Sequence, residues 1–228
     1  DYGQKHSIEI ERAKDNISYL SEKGYAVDHN VVDLRSAMSS LASALTDEGQ
    51  EVPEGHYESE QMKQTVVPNR NAIFSSILYG QALSTSISED CDVIIALGVH
   101  SGDHEIYPDC RPEFYESLEH SFSIGNWGSE RVSFHLPYIK GDKKTILEDA
   151  LNSCKSLGLD FDTVLRNTNT SYNPDENGRS SGRSGADVER VLAFHSIGRV
   201  DPVDYVDDWI NVLEYALAQE SEERDANE

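Results

Sequence analysis

The chain is predicted to fold as an α/β protein built on a doubly wound, Rossmann-like parallel sheet. Short apolar runs rich in β-branched residues alternate with longer stretches whose apolar residues recur at helical spacing, the β-α-β-α order that a parallel sheet requires. Glycines stand where the helical stretches stop, at Gly24 and Gly158. A dense cluster of polar, aromatic and glycine residues follows directly on the apolar run Val93 to Leu97, the place where open α/β sheets bind ligands.

Each element follows from its pattern. Ser7 to Leu20 sets Ile8, Ile10, Ala13, Ile17 and Leu20 on an approximate stripe, a helix with Ser7 as its cap. Tyr25 to Leu34 alternates loosely and is expected as a strand, and Ser36 to Leu45 as a short helix. Thr46 to Lys63 has no periodicity and reads as a long surface loop, followed by an extended lead from Thr65 to Val67 into Pro68. Asn71 to Ser86 carries Ile73, Phe74, Ile77, Leu78, Ala82 and Leu83 on one helical face. Val93 to Leu97 is a buried parallel strand, and Pro112 suits the first turn of a helix faced by Phe114, Tyr115 and Leu118. Val132 to Leu136 is a strand and Lys144 to Leu157 a helix. A polar, glycine-rich segment from Arg166 to Gly185 precedes helices at Asp187–Ile197 and Val203–Ala218. Residues 1–205 are expected as one domain, with 206–228 forming a C-terminal helix and acidic tail.

Composition narrows the function. At 228 residues, 37% of them apolar, the chain is long enough for one packed domain. A formal charge of −23 speaks against direct nucleic-acid binding, which rests on Lys and Arg, and against docking on anionic membranes. No apolar run approaches the ~18 residues of a membrane span. Cys91, Cys110 and Cys154 are far apart and lack metal-type spacing, as expected of reduced thiols in a cytoplasmic protein.

Four constellations carry possible chemistry. Gly98 to Phe114, with His100, Asp103, Tyr107, Asp109 and Arg111, is a candidate binding loop by position, although a solvated connection has the same composition. Val67-Pro68-Asn69-Arg70-Asn71 enters a helix, where backbone N–H groups and an arginine fork attract anions; an ordinary cap would look similar. Lys140, Lys143 and Lys144 crowd a helix start, against the helix dipole, which an anionic ligand would explain as well as simple solvation does. The Ser171, Ser180–Asp187 and Arg190 region reads by default as helix capping.

Placed in order, these segments resemble the 7-cyano-7-deazaguanine synthase family, ATP-dependent enzymes of queuosine and archaeosine precursor synthesis. The matching pieces are Asp1-Tyr2-Gly3-Gln4-Lys5-His6 with Glu9, Val67-Pro68-Asn69-Arg70-Asn71, and Gly98-Val99-His100 with Asp103. Tyr107-Pro108-Asp109-Cys110-Arg111-Pro112-Glu113-Phe114 follows and is the most specific string. Lys143 with Ile146, Ser171-Tyr172, Gly182, Arg190, Ala193-Phe194 and Asp201-Pro202 complete the register. The resemblance implies a PP-loop fold of the adenine nucleotide alpha hydrolase type. It implies that ATP, taken with Mg²⁺, adenylates the carboxylate of 7-carboxy-7-deazaguanine, and that ammonia displaces AMP to give an amide. A second ATP then activates the amide, and loss of AMP yields the nitrile. Lys143 and Arg190 are the expected catalytic, charge-neutralising groups, and Asn69, Arg70 and Lys143 the expected ATP contacts. Arg70, His100, Asp103, Tyr107, Asp109, Arg111 and Phe114 are expected to form the deazaguanine pocket. A homodimer is also implied.

Two departures from the family pattern stand out. The family's phosphate loop, Ser-Gly-Gly-x-Asp-Ser, precedes the Asp-Tyr-Gly-Gln segment, which here begins at residue 1. A fragment lacking its first strand, phosphate loop and first helix is expected, one that does not bind ATP normally. The family also holds Zn²⁺ with four cysteines, three of them spaced C-x₂-C-x₂-C. In this register those positions are Ser171, Ser181, Ser184 and Asp187, so zinc is expected to be absent, with hydrogen-bonded pairs of Arg179, Arg183 and Asp187 holding the loop. Two other readings fit the same residues: an adenylating enzyme that passes the deazaguanine acyl group to another amine, and a non-catalytic deazaguanine-binding module.

Overall fold

The structure is a computed structural model that describes residues 1–47, 49–56, 60–104 and 106–227. In chain order its helices are α1 (Ile8–Glu22), α2 (Arg35–Met38), α3 (Arg70–Glu89), α4 (Pro112–Gly125), α5 (Lys143–Leu157), α6 (Phe161–Arg166), α7 (Gly185–Ser196) and α8 (Trp209–Asn227). Its strands are β1 (Val93–Ala96) and β2 (Val132–His135). The chain divides into two compact units: residues 1–67 with 146–228, and residues 68–145. The boundary expected at residue 205 therefore falls inside the first unit.

The second unit is a β-α-β arrangement. β1 pairs in parallel with β2, Val93 opposite Val132 and Ile95 opposite Phe134. Parallel strands need a crossover, and α4 supplies it. Ile95 and Val132 turn into a cluster with Tyr79 and Ala82 of α3, and the Tyr79 and Phe122 rings stack with centroids 4.4 Å apart. The α/β class and the parallel pairing thus hold. Among the described residues the sheet has two strands.

The first unit is helical among its described residues. Leu147 and Cys154 of α5, Phe161 of α6, and Ala193 and Phe194 of α7 form one buried cluster. Val188 and Val191 of α7 meet Val212 and Ala216 of α8 in a second, so α8 is part of this core. α1 is tethered by polar contacts: Asn16 Nδ2 donates to the carbonyls of Val164 and Asn167, at 3.1 and 2.9 Å. The helix α6 was not foreseen. Asp160 caps it, accepting from the Thr163 N–H at 2.8 Å.

Residues 25–34 form no strand. The Asp1 amino group donates to the Val32 carbonyl at 2.9 Å and Leu34 N–H to the Asp1 carbonyl at 2.7 Å. Two bonds to a single residue do not make a ladder, so the alternating stretch is extended backbone only. Ser7 precedes α1 without a side-chain cap bond, and the short helix after Ser36 shrinks to the single turn of α2. α8 starts at Trp209, later than expected. Parts of the expected 46–63 loop (residues 48 and 57–59), Glu105 of the binding loop and Glu228 of the tail lie outside the described residues.

Candidate functional site

The second unit gathers most of the expected pocket residues where β1 ends, α3 begins and two 3₁₀ turns, Ser101–Asp103 and Pro108–Cys110, fold the connecting loop. Asn69 enters α3 in the left-handed conformation, φ 60°, and makes no side-chain cap bond. The anion at that helix N-terminus comes from the chain itself: Asp109 Oδ2 accepts the Asn71 N–H at 3.4 Å. Asn71 Nδ2 in turn donates to Cys110 Sγ at 3.3 Å. The Arg70 guanidinium lies over the Tyr107 ring, 5.9 Å from its centroid, a cation–π arrangement. Asn69, Arg70, Tyr107 and Asp109 are thus brought together, with Asn71 and Cys110 knitting them.

His100 sits at the start of the loop, 6% exposed, with Nε2 3.5 Å from Asp103 Oδ2. Ser101 fastens the loop to the turn before α5, its N–H and its hydroxyl both donating to the Gly141 carbonyl at 2.7 Å. Lys143 begins α5 two residues later. Asp142 caps that start, accepting the Thr145 N–H at 2.8 Å, and this bond holds the Asp142 carboxyl below its ordinary pKa. Two expected residues point elsewhere. Arg111 is exposed and donates from Nε to the His104 carbonyl at 2.7 Å. Phe114 packs edge-on against Tyr115 on α4, with centroids 5.1 Å apart.

Burial, reinforced by Asp103 and Asp109, pushes the Cys110 thiol up to about 12. Cys110 therefore stays protonated and packs in this corner as an acceptor. Burial also raises the Tyr115 phenol. Cys110, Asn71 and Ser101 were not singled out from the sequence. Asn71 and Cys110 do lie inside the two most distinctive strings, and their side chains join those strings.

Arg190 belongs to the first unit and is 7% exposed. Its guanidinium grips Asp201 with Nε and Nη2, the latter at 2.9 Å from Oδ1. The remaining N–H groups go to the Thr168 and Thr170 hydroxyls, at 2.7 and 3.2 Å, and to the Leu165 carbonyl at 3.1 Å. Burial works against the charge, yet the Asp201 carboxylate outweighs it and the pKa is raised. Every donor of the fork is engaged, which leaves none for a phosphate. These contacts tie the 165–170 and 201–205 segments to α7, with the Tyr205 hydroxyl donating to Asp201 at 2.8 Å.

Ser171, Ser181, Ser184 and Asp187 also lie in the first unit and come together, Ser184 and Asp187 forming a capping box at the start of α7. The capping reading of this segment is therefore the observed one. The nearby arginines pair elsewhere, Arg179 with Asp175 at 2.7 Å and Arg183 with Asp207 at 3.4 Å. The expected pairing of these arginines with Asp187 gives way to serine hydroxyls. Among the described residues no group of three or more His, Cys, Asp or Glu is placed to hold a metal ion, and no helix is long and apolar enough to cross a membrane.

Comparison with known proteins meets this geometry. The family model described as queuosine biosynthesis protein QueC matches residues 1–198. A 7-cyano-7-deazaguanine synthase of Psychromonas ingrahamii is 41% identical over 209 residues, covering 91% of this chain and 84% of that protein. One from Alteromonas mediterranea is 43% identical over 207 residues, covering 90% and 84%. A more distant source, Caldicellulosiruptor saccharolyticus, has one that is 39% identical over 204 residues, covering 90% and 81%. The match over residues 1–198 takes in residues of both units: the chain belongs to the QueC family of 7-cyano-7-deazaguanine synthases.

Proposed function

We propose that the protein is an ATP-dependent C–N ligase that makes 7-cyano-7-deazaguanine from 7-carboxy-7-deazaguanine and ammonia, in queuosine biosynthesis. The observation that carries this reading is the family match over residues 1–198, which includes the Tyr107–Phe114 string folded against the start of α3. The route is adenylation of the carboxylate by ATP with Mg²⁺, displacement by ammonia, and a second activation of the amide. In such a reaction the protein's work is orientation and charge neutralisation.

Within that reading the roles divide by what each side chain already does. Asp103 is the carboxylate we assign to the guanine-like N1–H and amino edge, with His100 beside it. Tyr107, buried with the Arg70 guanidinium over its ring, is the aromatic group we assign to the base side of the site. Asp109 and Asn71 fix the entry of α3, so Asp109 is a positioning residue. Lys143 is assigned to phosphate charge, and Asn69 and Arg70 to the nucleotide side. Arg190 holds loops on α7. Further strands completing a doubly wound sheet, and a second copy completing a dimer, belong to the same proposal.

The test is turnover. With 7-carboxy-7-deazaguanine, ATP, Mg²⁺ and ammonium, the full-length protein should release AMP and pyrophosphate and give a product with the mass of the nitrile. Absence of ATP consumption with that substrate overturns the reading, and a product carrying another amine assigns the acyl group to a different acceptor.

A further inference from the structure

The resemblance puts a tetrahedral zinc site at Ser171, Ser181, Ser184 and Asp187, and this chain builds something else there. The three hydroxyls donate to one atom, Asp187 Oδ2, at 2.9, 2.8 and 2.8 Å. Each hydroxyl oxygen also accepts a backbone N–H. Ser181 N–H donates to Ser171 Oγ and Arg183 N–H to Ser181 Oγ, both at 3.2 Å, while Asp187 N–H donates to Ser184 Oγ at 3.3 Å. The Ser184 N–H adds a further, longer donation to Oδ2 at 3.3 Å. Ser171, Ser184 and Asp187 are 0, 1 and 0% exposed. All three serines are thus fully wired, one donor and one acceptor each, which is the condition for burying hydroxyls without penalty.

This donor set does not fit zinc. Structural zinc takes thiolates or imidazoles, whereas here three neutral hydroxyls and one carboxylate offer hard oxygen. The hydroxyl protons are also already committed, because all three are donated to Oδ2. The spacing of the site survives, two residues between Ser181 and Ser184 and two between Ser184 and Asp187, while its chemistry has changed.

We infer that this knot of three serines on the Asp187 carboxylate replaces a structural zinc ion, closing the 171–187 segment with shared protons and making the first unit independent of metal. The knot explains features around it. It locks Gly182 into a left-handed turn, φ 75°, under Val212 of α8. It places Arg183 so that its carbonyl accepts the Gly55 N–H at 3.0 Å, with a single bridge between Glu54 and Ser184. It also sets Tyr172 against His6, ring centroids 5.1 Å apart, in the N-terminal Asp1–His6 string. Asp187 is central because its carboxylate only accepts, so one oxygen can take every donor at once. Its Oδ1 is buried with no hydrogen-bond partner among the described residues, so the carboxylate depends on the serines alone. Replacement of a zinc ion rests on the family reading, whereas metal independence is measured by melting and metal content, so inactivity as a synthase would leave the test intact.

The experiment compares the wild-type protein, Asp187→Asn, and the fourfold variant S171C/S181C/S184C/D187C. The wild type should carry no stoichiometric zinc and should melt at the same temperature with and without a strong chelator. Asp187→Asn removes the negative charge that the three hydroxyls share and puts an NH2 group where Oδ1 is buried without a partner, and should lower the melting temperature by roughly 5–10 °C with no response to chelator. The fourfold variant should bind one Co²⁺ with the intense visible bands of tetrahedral thiolate coordination and lose stability in chelator. One zinc per wild-type chain, a chelator-induced fall in its melting temperature, or an Asp187→Asn variant as stable as wild type overturns the inference. So does a folded fourfold variant that takes up no cobalt. Should that variant not fold, the first two proteins decide the matter.

Discussion

The chain holds two polar centres of opposite character. In the first unit, Arg190–Asp201 and the Ser171–Ser181–Ser184–Asp187 knot are almost fully buried, and their donors are matched to acceptors within the same unit. In the second, the 98–111 loop wraps polar side chains in two short 3₁₀ turns and keeps several of them half-exposed. Low-dielectric burial with every donor paired makes a polar group structural, because no donor is left over for a ligand. Partial exposure on a short-turned loop anchored at both ends suits the recognition role proposed for it. The two centres therefore fail differently: damage to the first should lower stability, and damage to the second should lower turnover.

Arg190 gives the largest expected effect. Removing one partner of a buried, bidentate pair strands the other charge, so Arg190→Met or Asp201→Asn should cost about 3–5 kcal/mol in denaturant unfolding. Activity under conditions where the variants remain folded should fall far less. A variant of normal stability with turnover abolished would return Arg190 to the phosphates and erase the contrast. Next is Gly182→Ala. Its added Cβ would lie 2.9 Å from Val212 Cγ1 and 3.0 Å from Cγ2, at a φ of 75° that side chains avoid. Val212 is β-branched and buried and has little room to give, so a loss of about 2–3 kcal/mol is expected. A stable alanine variant would show that the turn can relax.

These two cases also show where the sequence was readable. α3, α4, α5, α7, β1 and β2 were legible because their apolar residues repeat at a period that packing then uses. Tyr25 to Leu34 was misread because alternation reports extended backbone without saying whether a neighbouring strand exists. The roles of Arg190 and Ser171 were illegible for a different reason. Their partners, Asp201 and Asp187, lie 11 and 16 residues away, beyond any local pattern. Arg190, three residues after Asp187 at a helix start, looks like an anion ligand until Asp201 is seen filling its fork. The binding loop was legible as a place, after an apolar strand, but the knitting of Asn71 to Cys110 was not.

The second centre is tested by kinetics. Asp103→Asn leaves volume and burial nearly unchanged but offers an amide where the guanine edge presents donors. Catalytic efficiency should fall roughly 10- to 100-fold, about 1.4–2.7 kcal/mol, with unfolding free energy within about 0.5 kcal/mol of wild type. Asp109→Asn should behave in reverse order, losing about 1 kcal/mol of stability with the α3 cap before it loses specificity for the base. If Asp109→Asn proves the more damaging to KM and leaves stability intact, the two carboxylates exchange roles.

The smallest effect concerns Cys110, where the two kinds of centre meet within one loop. Its thiol is buried, accepts from Asn71, and is pushed up to about 12 against an ordinary 9.0. A raised pKa means that the folded state favours the protonated thiol. Its contribution is therefore fully present below about pH 9 and is lost as pH rises from there toward about 12. Cys110→Ser, which does not titrate in that range, isolates the effect: the stability advantage of wild type over the variant should shrink between pH 8 and 11, along the expected titration. At pH 8 iodoacetamide should label the half-buried Cys91 and spare Cys110, as mass spectrometry of the digested protein would show. Equal labelling of the two would mean that the loop opens readily, which would place Cys110 with the exposed recognition residues and not with the packed ones.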